Sequence, residues 1–175
     1  MSKKQKVELI IAVFLILWGS MLLIFPLFHF VKVKIIFISV LIAYGVFNLI
    51  KFILIRESKD YEGLLTTFAS IVVLIIVSFL DVDEVPWYLA LSLFIWIILM
   101  ALIKLKKADY YNDRKNKVWI LEVITLILFI LSCLLTTINL YYENDIQVLV
   151  LGYFYLIHGI LELIDPLTLY LIEKK

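Results

Sequence analysis

"KLKKADYYNDRKNK", residues 104–117, packs six of the chain's sixteen basic residues into one break between two apolar runs. A cationic segment of this kind is retained on the cytoplasmic side of a membrane, so it orients the helices that flank it. On its two sides, six apolar runs lie at about 7–25, 35–55, 63–80, 87–103, 118–140 and 146–164. Each is long enough, or nearly so, for a hydrocarbon core that needs about 17–25 residues. Of the 175 residues, 65% are hydrophobic and 18% charged. Soluble domains hold about 45–50% apolar and about 25% charged residues, so lipid must solvate much of this surface. Unpaired backbone groups are not tolerated in lipid, and each run is therefore expected to be a helix.

The basic residues sort by side. Those before helix 1, around the 2–3 and 4–5 connections, and at the C-terminus make fourteen of the sixteen. Only Lys32 and Lys34 fall opposite, where the loops carry Asp81, Asp83, Glu84, Glu143 and Asp145. Both termini are thus expected in the cytoplasm. The net charge of +1 hides this asymmetry. The basic start and long apolar run read as an uncleaved first transmembrane helix rather than a secretory signal.

The expected fold is an all-α polytopic membrane protein, one domain over residues 1–175. The outer turns are short, so helices 1–2, 3–4 and 5–6 are expected as tight antiparallel hairpins. These three hairpins, at about 7–55, 61–107 and 118–172, read as parallel repeats about an axis along the membrane normal. "SVLIAYGVFNLIK" (39–51) aligns without a gap with "SLFIWIILMALIK" (92–104), matching Lys51 to Lys104. A shift of 114 residues aligns Gly45 with Gly159 and Glu8 with Glu122, while Glu62 begins helix 3 in a similar place.

"WGSMLLIFP" in helix 1, with Gly19, Ser20 and Pro26, and the late glycines in "YGVFNLI" and "HGILELI" carry a family likeness. The chain resembles the HdeD-type acid-resistance membrane proteins over nearly its whole length; the middle repeat departs, with Ile98 at the glycine position. That resemblance implies a bacterial inner-membrane protein linked to envelope or acid stress, and it supplies no catalytic residues. Mitochondrial-type carriers also have three two-helix repeats, but they are longer and bear a Pro-x-acid-x-x-base signature that is absent here.

The polar residues inside the runs are the candidate site. His158 and Glu162 lie four apart on one helix face. Counting from residue 146, Glu162 lies about 5 Å and His158 about 10 Å inside the inner boundary, which falls near Asp165. Asp165 and Pro166 read as a helix end or kink. With Tyr44 and Asn48 at matching places in helix 2, His158 and Glu162 are candidates to line a cytoplasm-facing polar cavity, where a histidine beside a carboxylate can sense or relay protons. The alternative is a polar clamp joining helices 2, 5 and 6, with Glu122 as a neighbour. Glu8, Glu62 and Glu122 are expected in first helical turns, favoured there by the helix dipole. Gly45, Gly152 and Gly159 mark close helix approach.

Enzyme chemistry has no footing: there is no Ser/His/Asp or Cys/His set, phosphate loop or metal-ligand cluster. Cys133 is the single cysteine, so no intrachain disulfide forms. The expectation is a non-enzymatic, cofactor-free stress-tolerance protein of structural or regulatory kind. The alternative is a small proton-linked transporter or channel. Expected partners are the bilayer, anionic lipid at residues 104–117, and a second copy or another membrane protein, with no nucleic acid.

Overall fold

The computed structural model describes residues 2–25, 31–55, 61–82, 84–140 and 144–173. Six helices form on the six apolar runs: α1 Lys3–Ile24, α2 Val33–Leu54, α3 Glu62–Phe79, α4 Pro86–Asp113, α5 Val118–Asn139 and α6 Asn144–Glu173. All six are long and apolar enough to cross a membrane, as a multi-pass membrane protein requires.

Local chemistry sets the ends. Ser2 and Gln5 form a capping box: the Ser2 hydroxyl accepts from the Gln5 N–H, and Gln5 Oε1 accepts from the Ser2 N–H. This extends α1 back through the basic residues. Pro86 opens α4, where its missing N–H costs nothing. The turn into α5 uses Lys115 at φ 53°, and Asn116 Oδ1 accepts from the Val118 N–H. At the opposite end, Lys34 Nζ donates to the Leu80 carbonyl just past α3, and Gln147 Nε2 donates to the Leu140 carbonyl just past α5. Each satisfies a helix-terminal acceptor that lipid would leave bare.

Two elements outrun the sequence reading. The 104–117 break is mostly helix, since α4 continues to Asp113, and residues 104–113 include the strong helix formers Lys, Leu and Ala. α6 passes through Asp165 and Pro166 and ends at Glu173, so that pair does not terminate it.

Successive helices follow one another round a ring that α1 and α6 close, with α2 also touching α6 across it. The closest partners are α1 with α6, α2 with α3, and α4 with α5, whereas α1 and α2 meet over a small surface. The tight pairs therefore differ from the expected 1–2, 3–4 and 5–6 hairpins. Small residues decide this, because in lipid helices associate by packing rather than hydrophobic burial. A Cβ on Gly19 would stand 2.4 Å from the Leu156 nitrogen, and one on Gly159 would stand 2.8 Å from the Ile16 nitrogen. The α1 and α6 backbones are thus in direct, antiparallel contact. A Cβ on Gly63 would stand 2.6 Å from the Asn48 carbonyl oxygen, and Thr67 Oγ1 donates across to the Gly45 carbonyl at 3.1 Å. The enclosed core includes Leu15, Phe37, Tyr44, Trp96, Phe129 and Phe154.

Candidate functional site

At the lysine-rich end of the ring, side chains from all six helices meet in one ionic network. The even-numbered helices α2 and α4 bring lysines, and the odd-numbered ones bring glutamates. Lys51 Nζ lies 2.8 Å from Glu8 Oε1 and 3.2 Å from Glu62 Oε2. Lys4 approaches both glutamates, at 3.8 and 3.5 Å. Lys107 Nζ lies 3.1 Å from Glu122 Oε1, 2.5 Å from Asp165 Oδ2 and 3.9 Å from Glu62 Oε1. Beside it, Lys104 Nζ donates to Glu162 Oε1 at 2.6 Å. Lys51, Lys104, Glu8, Glu122 and Asp165 are buried, so their charges need one another.

The spacing explains how α4 meets α6. Lys104 and Lys107 are three apart, as are Glu162 and Asp165, and each pair is separated by 58 residues. Matching i, i+3 steps in the same direction require two parallel helices with facing stripes.

Above the network sits His158, wholly buried. Four rings enclose it: Phe129 at 5.1 Å, Trp96 at 5.4 Å, and Tyr44 and Phe154 at 5.8 Å between centroids, with Phe154 stacked parallel. Its Nε2 stands 3.9 Å from Glu162 Oε1, beyond hydrogen-bond reach. Both ring nitrogens, Trp96 Nε1 and the Tyr155 hydroxyl are buried without a hydrogen-bond partner. All three residues line one small cavity with Tyr44, Phe37 and Leu15, its free space about that of one water molecule.

The candidate residues therefore divide. Tyr44 and His158 face this cavity; Glu162 sits between it and the ionic network. Asn48 turns back on its own helix, its Nδ2 donating to the Tyr44 carbonyl at 2.9 Å. Glu122 pairs with Lys107 and belongs to the network. Gly152 and Gly159 lie in the α1–α6 contact, where Cβ atoms would stand 2.9 and 2.8 Å from Leu22 and Ile16, while Gly45 faces Ser70 at a looser 3.4 Å. Of the three glutamates expected in first turns, only Glu62 occupies one. Glu8 and Glu122 stand further along their helices, held by lysines of neighbours rather than by their own helix dipole. Among the described residues, no group of three or more His, Cys, Asp or Glu is placed to hold a metal ion.

Lys107, the node that joins four helices, was not singled out by sequence reasoning, which used it only for orientation. The repeated three-residue step in Lys104/Lys107 and Glu162/Asp165 was the available signal. Compared with protein-family models, curated proteins and solved structures, the chain matches none.

Proposed function

We propose that the chain is a non-enzymatic protein of the bacterial cytoplasmic membrane, with both termini cytoplasmic, that supports acid or envelope-stress tolerance as a structural or regulatory component. The observation that carries this reading is the ionic network, which fastens all six helices at one end over an aromatic core. Removing one partner of a buried ion pair costs about 3–5 kcal/mol, so such a network favours one fixed arrangement of helices. The sorting of charge supports the orientation, since the network lies at the end where the basic residues gather. Glu8, Glu62 and Glu122, each met by a lysine at the same end, support a threefold repeat. The stress assignment rests on the resemblance to HdeD-type proteins. A clean deletion is expected to lower survival of acid or membrane stress, with wild type restoring it and Lys107→Met restoring it poorly. Unchanged survival of the deletion would remove the basis for this role.

A second reading, a small proton-linked transporter or channel, is favoured by His158 alone, buried with two unpartnered nitrogens next to Glu162. It expects purified protein in liposomes to carry protons or a solute above background, and Glu162→Gln to abolish that flux. Background flux from wild type and variant alike would dismiss it.

A further inference from the structure

Glu162 Oε1 has two claimants. Lys104 Nζ on α4 holds it at 2.6 Å, and His158 Nε2, one turn back on α6, stands 3.9 Å from the same atom. A shift of about 1 Å would bring the ring nitrogen into hydrogen-bond range. We propose that His158 is a proton-binding site and that the protonated ring displaces Lys104 from Glu162, so that proton uptake loosens the tie between α4 and α6. The inference shares residues with the transport reading but does not need anything to cross the bilayer.

The surroundings suit such an exchange. Four aromatic rings surround the imidazole, Phe154 stacked parallel to it, and ring quadrupoles attract a cation placed over their faces. Around His158, α2 presents Tyr44 and α4 presents Lys104, with Lys107 one turn further. α5 presents Phe129, with Cys133 a turn away and Glu122 in the adjoining network, and α6 itself presents Tyr155 and Glu162. α1 offers apolar Leu15 here and places Glu8 in the network. Among the described residues, Glu162 is thus the one carboxylate within 4 Å of a ring nitrogen. Its side chain is 16% exposed while His158 is sealed, so of the two only Glu162 reaches the surface.

The step balances simply. One proton from hydronium, which becomes water, forms an N–H bond on the imidazole, Glu162 stays a carboxylate, and Lys104 keeps its protons while changing acceptor. Asp165 Oδ1, buried and without a hydrogen-bond partner, is an acceptor in the same cluster. The backbone is prepared for movement there as well. Pro166 lies inside α6 and has no N–H, so the Glu162 carbonyl four residues earlier lacks its helical donor.

Two measurements on the full chain in detergent micelles test the proposal. Ring-nitrogen NMR of a His29→Gln variant, which leaves His158 as the sole histidine, is expected to show protonation between about pH 7 and about pH 3. A ring signal unchanged across that range overturns the proposal. Hydrogen exchange, corrected for the intrinsic effect of pH, reads the tie itself. In wild type, protection over residues 104–113 and 162–171 is expected to fall about tenfold across the same range, the scale of one lost hydrogen bond to a charged group. His158→Gln should keep its protection throughout, and Lys104→Gln should lack it at both ends. Wild type without the fall, His158→Gln falling like wild type, or Lys104→Gln as protected as wild type near neutrality would each overturn it. Background flux in liposomes would dismiss the transport reading and leave these outcomes unaffected.

Discussion

Lys106 and Lys107 are chemical twins with opposite standing. Lys106 is exposed, whereas Lys107 is nearly buried among Glu62, Glu122 and Asp165. Lys107→Met strands Glu122 and Asp165, while Glu62 keeps Lys51 and Lys4, and is expected to lower stability by about 3 kcal/mol or more. Lys106→Met should change it by less than about 0.5 kcal/mol. Reversible unfolding in mixed micelles separates the two, and equal losses would contradict the network. Adding Glu122→Gln to Lys107→Met should return part of the loss, because one stranded charge goes with it. Residue identity alone did not distinguish these neighbours. Both read as loop cations, since orientation rules count lysines without asking where their side chains end. His158 was legible as a buried anomaly because its type is costly in lipid. Its ring cage was not, since Tyr44, Trp96, Phe129 and Phe154 come from four helices whose rotations no local pattern sets.

Helices were the most legible elements, because twenty apolar residues in lipid have few alternatives to an α-helix. Which helices touch was harder. Short turns suggested one set of partners, and glycine positions selected another. Gly159 meets the α1 backbone, which cannot retreat, whereas Gly45 meets the Ser70 side chain at 3.4 Å. Gly159→Ala is therefore expected to cost about 1–3 kcal/mol by overpacking. Gly45→Ala should be near neutral, its close contact offset by the gain of up to about 1 kcal/mol that alanine brings to a helix interior. Thermal unfolding of the two variants checks the order, and a reversed order would mean that α1 and α6 are not in backbone contact. The extension of α4 past residue 104 was masked by charge. Those lysines looked like a solvated loop, while their three-residue step was that of a helix face.

The bundle as a whole makes a claim about sidedness. In a Cys133→Ser background, Lys115→Cys is expected to react with an impermeant thiol reagent only from the cytoplasmic face, and Asp83→Cys only from outside. Labelling of both from one side would break the six-span threading. The closed ring also bears on how the protein is made. Of the six helices α1 leaves the ribosome before the others, yet its principal packing partner is α6, made after the other five. Lys51 finds Glu8 and Glu62 as soon as three helices are inserted. Lys104 and Lys107 must wait for Glu122, Glu162 and Asp165. A nascent chain stopped after α4 thus has Lys104 without its carboxylate, Lys107 with only the distant Glu62, and the α1 face around Gly19 without α6. Biosynthesis has a vulnerable interval between the fourth helix and the sixth, and insertion chaperones or membrane proteases would act on this chain in that interval.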